Sequence, residues 1–97
     1  MQDKLYAVYF MANQRNTVLY LGISSDLPGR VYKHKNKFYP NSFTARYNVD
    51  KLVYYEMYSE PTLAITREKQ LKHWNRDKKL ALIKKKNPLV KDLSDEL

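Results

Sequence analysis

Cysteine is absent from the 97 residues. The chain therefore has no disulfide, no cysteine-based zinc site and no thiol nucleophile, although this leaves the compartment open. Long hydrophobic runs are missing as well, since none approaches the roughly 18 residues a membrane span needs. The opening Met1-Gln2-Asp3-Lys4 carries no signal-peptide pattern, so a cytoplasmic protein with no membrane partner is expected. Internal repeats, low-complexity segments and linkers are also lacking, which leaves room for one small domain able to fold alone. Acid is scarce and unevenly placed: 18 Lys and Arg face 10 Asp and Glu. Three of those acids, Asp92, Asp95 and Glu96, lie in the last six residues, which hold no Lys or Arg. Residues 1–91 thus carry a balance of +11. Division into a basic body over 1–91 and an acidic tail over 92–97 follows, and the chain end from Lys91 is expected to be loosely packed. A body this basic favours polyanions, among which nucleic acid is the commonest.

An apolar fraction of 43% with 13% aromatics excludes a disordered polymer. Lys4 to Met11 is short, aromatic and continuously apolar, which suits a strand covered on both faces. Asn13-Gln14-Arg15-Asn16 reads as a turn, and Thr17 to Ile23 as a second, antiparallel strand. A turn centred between Gln14 and Arg15 would put Tyr9 directly opposite Tyr20, with Cβ atoms roughly 5 Å apart. Two phenols so placed form either an aromatic cross-strand pair or part of a site.

The stretch from Tyr20 to His34 passes from strand to basic helix. Asp26 or Ser25 can cap that helix, and Pro28 suits its first turn. Helical spacing stacks Arg30 and His34 on one face, beside a helix start suited to an anion. The same pattern also describes a core tyrosine below a solvated helix face. Residues 37–49 read as a loop with one helical turn begun by Asn41 or Ser42. Its interleaved Lys37, Arg46 and aromatics suit phosphate contact and base stacking, or simply a loop packing its own rings.

Lys51 to Tyr58 reads as a third strand. Glu56 lies among apolar residues, facing the same way as Leu52 and Tyr54, as an edge residue, an ion-pair partner or a functional carboxylate. A helix follows from Pro61 to about Trp74, with Ser59 as N-cap and Leu63, Ala64, Leu71 and Trp74 as its buried stripe. Arg67 falls near the stripe's centre, where it snorkels or meets a carboxylate such as Glu56. Glu68 falls at its edge, as an ion pair with Lys72 or as a metal ligand. Asp77 can cap a last helix, Lys78 to Lys86, with Leu80, Ala81 and Ile83 on one side; Asn87-Pro88 ends it.

Taken in order, Ala7-Val8-Tyr9, Tyr20-Leu21-Gly22, Arg30, His34 and a helical Glu68 resemble the GIY-YIG nuclease superfamily, especially its small stand-alone branch. Phe43-Thr44-Ala45-Arg46-Tyr47-Asn48 and Arg67-Glu68-Lys69-Gln70-Leu71-Lys72 look like that branch too. The resemblance covers about residues 4–90. Ala7, Val8 and Leu21 stand where the family's motifs carry glycine and isoleucines, and they keep apolarity and approximate size. The resemblance implies a small α/β fold, a three-stranded antiparallel sheet sandwiched by helices in the order β-β-α-β-α-α. It implies an endonuclease that hydrolyses DNA with one divalent cation, Mg²⁺ or Mn²⁺, in repair or recombination. A protein partner supplying specificity goes with such a small chain, and a non-catalytic nucleic-acid-binding module on the same fold is the alternative.

By position the resemblance assigns the metal to Glu68 and the phosphate to Arg30. Tyr9 and Tyr20 would position or activate water, and His34 would assist by hydrogen bonding or proton transfer. Lys33, Lys37, Arg46 and Lys72 would contact DNA, with Asn87 and Glu56 as accessory candidates. A tyrosine near its reference pKa of about 10 is a poor base at neutral pH, so it needs a nearby cation, Arg30 or the metal, to lower that value.

Overall fold

Strand β1 (Tyr6–Ala12) is the middle strand of an antiparallel sheet of order β2-β1-β3, flanked by β2 (Leu19–Ser24) and β3 (Lys51–Tyr58). The protein is described by a computed structural model over residues 4–97, so the reading of Met1 to Asp3 lies outside the described residues. Between β2 and β3 come α1 (Leu27–Lys35) and the single turn α2 (Phe43–Arg46). After β3 come α3 (Pro61–Lys72), α4 (Arg76–Lys86) and a 3₁₀ turn at Ser94–Glu96.

The continuous apolar run of β1 is explained by its central position, because alternate residues enter two different cores. Ala7, Tyr9 and Met11 pack with Leu27 and Val31 of α1 and with Val49 and Leu52. Val8, Phe10 and Ala12 pack with Ala64 and Leu71 of α3 and Ile83 of α4. The sheet is thus covered by helices on both faces.

The hairpin register differs from the tight-turn expectation. Tyr9 pairs with Gly22, and Tyr20 pairs with Met11. The connection spans Asn13 to Val18, because the Asn13 side-chain oxygen accepts from the backbone N–H of Thr17 and Val18. Asn16 takes a left-handed φ of 57° within it. This slip of two residues keeps both tyrosines on one face, since side chains alternate with period two.

β3 has the expected ends but carries a bulge where its pairing shifts opposite Phe10 and Met11. The bulge sends Leu52 into the α1-side core and Tyr54 into the other, so Glu56 shares a face with Tyr54 but not with Leu52.

Asp26 caps α1 by accepting from Gly29 N–H at 3.1 Å, and Pro28 sits in the first turn. Glu60, not Ser59, occupies the α3 N-cap, without a side-chain cap bond. The buried line of α3 runs through Ala64 and Leu71, with Trp74 packed against the same core. Leu63, one residue and thus about 100° away from Ala64, is exposed. Asn75 caps α4 by accepting from Lys78 N–H, which places Asp77 inside the first turn, favourable to the helix dipole. In α4, Ile83 is buried, Leu80 half-buried and Ala81 exposed.

The acidic tail is docked, contrary to the loose packing expected. Asp92 pairs with Lys35 at the end of α1, Leu93 N–H donates to the Leu52 carbonyl at 2.7 Å, and Tyr55 O–H donates to Glu96 at 3.0 Å. Leu93 packs against the α1-side core.

Candidate active site

The α1 face of the sheet brings together residues from four elements. Tyr9 from β1, Tyr20 from β2 and His34 from α1 form a triangle of rings. Centroids lie 6.2 Å apart for Tyr9–Tyr20, 6.1 Å for Tyr9–His34 and 5.3 Å for Tyr20–His34. The Tyr9 hydroxyl lies 3.1 Å from His34 Nε2. Tyr9 can cross to His34 because its ring passes over Gly22, the residue paired with it. A Cβ on Gly22 would stand 2.5 Å from the Tyr9 ring tip.

Above these rings is an open pocket of about 200 Å³. Tyr20, Arg30, Lys33 and His34 wall one part of it; Tyr39, Ser42, Phe43 and Thr44 supply the rest. Ser42 N-caps α2 by accepting from Ala45 N–H. Two helices end against this pocket in the same way. Lys37 and Asn48 adopt left-handed φ values of 50° and 56°. The next residue in each case, Phe38 or Val49, bonds back to the carbonyl of Lys33 or Thr44. Lys37 Nζ then donates to Asn48 Oδ1 at 2.7 Å, tying the two turns together.

Electrostatics assign protonation states. Burial, reinforced by Tyr20, pushes the Tyr9 phenol well above its usual 10, and the opposing pull of Arg30 is weaker. Tyr9 is therefore a neutral phenol at neutral pH, and the lowering by Arg30 does not prevail over burial. Burial and then Arg30 lower His34 below its usual 6.5, so its imidazole is neutral at pH 7. The site holds a phenol beside a neutral imidazole, with an exposed guanidinium at its mouth.

Among the basic candidates, Lys33 lines the pocket with Nζ 5.4 Å from the Phe38 ring centre, and the Arg46 guanidinium carbon lies 6.0 Å from that of Tyr47. Lys72 lies apart, on α3. Glu68 is not among the pocket residues. It belongs to α3, which packs on the other face of the sheet and also meets β2, the edge strand carrying Tyr20. Its side chain is 15% exposed and meets Lys72 Nζ at 3.4 Å.

The two accessory candidates are bound up in packing. Glu56 accepts from Arg67 Nε at 2.9 Å and Nη2 at 3.0 Å, and from the hydroxyls of Tyr54 and Tyr58. Burial pushes its carboxyl up, yet these donors prevail and bring it to about 2. Asn87 is buried, donating to the carbonyls of Val53 and Lys91 and accepting from Lys91 N–H. Sequence reasoning passed over Thr44 and Gly22 as site residues. Thr44 reaches His34 only because the loop folds back over α1, and no local pattern signals that contact.

Residues 5–81 match the family model described as the GIY-YIG catalytic domain. The chain belongs to the GIY-YIG family. That membership gives its general activity class, a nuclease. It is 40% identical over 68 residues to UPF0213 proteins of Staphylococcus aureus strains Mu3, Mu50 and N315. Those alignments cover 70% of this chain and 82% of each relative, whose names state no activity. No solved structure matches the chain significantly. Tyr9, Tyr20, Arg30, His34 and Glu68 all fall within the GIY-YIG match, and Asn87 falls outside it. No helix among the described residues is long and apolar enough to cross a membrane.

Proposed function

We propose that the chain is a metal-dependent endonuclease that hydrolyses DNA phosphodiester bonds. The observation that carries this reading is the Tyr9–His34 hydrogen bond beneath a pocket walled by Tyr20 and Arg30. Exposed Lys33, Lys37 and Arg46 extend positive charge from that pocket, where a phosphate backbone would bind. By analogy with the family, the reaction belongs to DNA repair or recombination.

A divalent cation fits the donor set in one respect. Among the described residues, no three His, Asp or Glu side chains gather. Glu68 offers a single, mostly buried carboxylate whose ion pair at 3.4 Å is loose. One such ligand suits a hard ion, Mg²⁺ or Mn²⁺, that keeps its waters and takes further oxygens from the substrate. When bound, the ion supplies Lewis-acid stabilisation of charge on the phosphate. Glu68 and the ring cluster belong to opposite sides of β2, so the reading requires the phosphodiester to lie at that edge.

Arg30 presents a fork of donors that matches phosphate oxygens and stabilises the charge that grows on them during attack. Tyr9 and Tyr20 orient the attacking water. Tyr9 accepts a proton from that water while its own proton passes to His34 Nε2. Oxygen bonds to phosphorus as the bond to the leaving sugar oxygen breaks, and solvent protonates the leaving group. The neutral imidazole makes this relay possible; a charged one has no lone pair to receive the proton.

The test is cleavage of labelled single-stranded, duplex, flapped and branched DNAs in Mg²⁺, Mn²⁺ or EDTA, with Arg30→Ala and Glu68→Ala as controls. Metal-dependent cuts that both variants lose support the proposal. Salt-sensitive binding without product in any metal would replace it with a non-catalytic binding module.

A further inference from the structure

His34 touches two hydroxyls of different character, one on each ring nitrogen. Nε2 lies 3.1 Å from the Tyr9 phenol, and Nδ1 lies 2.9 Å from the Thr44 Oγ1. A neutral imidazole carries one proton, so one nitrogen donates and the other accepts. Which tautomer forms decides whether His34 can take a proton from Tyr9 at all.

The two hydroxyls are not equivalent partners. A phenol is the stronger acid and so the better donor, whereas an aliphatic hydroxyl oxygen is the better acceptor. The matched arrangement puts the proton on Nδ1, donating to Thr44, and leaves the Nε2 lone pair facing the Tyr9 O–H. The surroundings of Thr44 close the same chain. Its oxygen lies 3.3 Å from Ser42 Oγ, which already accepts from Ala45 N–H. Thr44 O–H can therefore donate to Ser42 while its lone pair receives the His34 proton. In the opposite tautomer, Thr44 would donate to Nδ1, and Nε2–H would be spent on the poorer acceptor.

Thr44 is also held firmly enough to impose this choice. It is 5% exposed, and its carbonyl accepts from the N–H of fully buried Val49 at 2.8 Å. Ser42 fixes the start of its helical turn and Asn48, in the left-handed region, fixes the end. The geometry points to Thr44 as a positioning residue that selects the Nδ1–H tautomer of His34 and so aims the Nε2 lone pair at Tyr9. This assignment rests on the nuclease reading only for its consequence in catalysis. The tautomer itself is a property of the free protein.

The experiment uses the full chain labelled with ¹⁵N, read by long-range ¹H–¹⁵N correlation of the histidine rings above pH 7. The chain's other histidine, His73, is exposed and serves as the internal reference. Wild-type His34 should show a protonated Nδ1 and a pyridine-like Nε2. Thr44→Val, which keeps shape but removes the hydroxyl, should move His34 toward the Nε2–H form, and Thr44→Ser should restore the wild-type pattern. In the cleavage assay, Thr44→Val should lower kcat about 10- to 100-fold with little change in KM, and Thr44→Ser should recover most of it. A wild-type His34 in the Nε2–H form overturns the assignment, and that measurement needs no variant to fold. An unchanged tautomer in a folded Thr44→Val also overturns it. A wild-type protein with the expected tautomer but no cleavage would refute the nuclease reading and leave the tautomer assignment standing.

Discussion

Gly22→Ala should damage the site through Tyr9. Neither glycine among the described residues has a positive φ, so conformational freedom does not explain Gly22. Close approach does: a Cβ there would meet the Tyr9 ring carbon and hydroxyl at 2.5 Å, whereas ordinary contact begins at 3.4 Å. The ring would have to retreat by about 0.9 Å. Tyr9 is 1% exposed and packed in the α1-side core, so nearby atoms resist the move. Overpacking of this kind costs about 1–3 kcal/mol, partly offset by up to about 1 kcal/mol because alanine suits a strand better than glycine. A net loss of about 1–2 kcal/mol is expected, read by urea unfolding followed through the fluorescence of Trp74. The 3.1 Å bond to His34 does not survive such a shift unless His34 follows. Misplacement by about 1 Å can cost 10²-fold in rate, so cleavage should fall by about that factor. Tyr9→Phe supplies the control. Once the hydroxyl is gone, adding Gly22→Ala should remove little further activity, because both changes act on one bond. Full stability and full cleavage in Gly22→Ala would refute the reasoning. Additive losses in the double variant would show that Gly22 acts elsewhere.

Two pH dependences follow. Cleavage should fall as acid protonates His34, and the midpoint of that limb should lie below 6.5 because burial and Arg30 lower the group; a kcat/KM profile with its acid midpoint above 6.5 would contradict the assigned base. Glu56 is brought to about 2 from 4.5, so its contribution to stability is present above pH 4.5 and is lost as pH falls toward 2. That gap corresponds to at most about 3 kcal/mol. In Glu56→Gln the fall in unfolding free energy across this window should flatten by up to that amount, and a fall equal to the wild type's would assign the acid sensitivity to other groups.

Much of the architecture was legible because local chemistry and tertiary packing agree. The ends of β3, the Asp26 cap and the Pro28 turn of α1 follow directly from residue type. The hairpin register was not legible, because Asn13 captures two backbone donors and lengthens the connection, which a count of turn residues does not reveal. The tyrosine pair survived that slip only because an even shift preserves the face. An odd irregularity is less forgiving, and the bulge in β3 put Leu52 and Tyr54 on opposite faces. Helix starts shifted for a similar reason: Ser59 and Asp77 are good caps by type, but the chain turns into helix beside Glu60 and Asn75 instead. The tail reads as loose because chain ends usually are, yet Lys35 and the Leu52 carbonyl give it partners that only the folded chain brings near.

The other face of the sheet explains how a site of this kind can be held by so small a chain. Arg67 and Glu68 are neighbours on α3, and their side chains leave the helix about 100° apart. Arg67 grips Glu56 with two nitrogens, bonds Gln70 at 2.7 Å, and lies 5.4 Å from the centre of the Trp74 ring. Tyr54 and Tyr58 hold Glu56 from the sheet side. A helix pinned at Arg67 by this set of directional bonds cannot rotate about its axis without breaking them. The orientation of Glu68 is fixed as a consequence, although Glu68 makes only one loose ion pair itself. The strongly bonded polar cluster therefore serves the fold, while Glu68 beside it carries only its loose pair with Lys72, which leaves it available for the metal role proposed for it. The same division appears on the α1 face, where the caps around Lys37 and Asn48 fix Thr44 and His34 while Arg30 remains exposed.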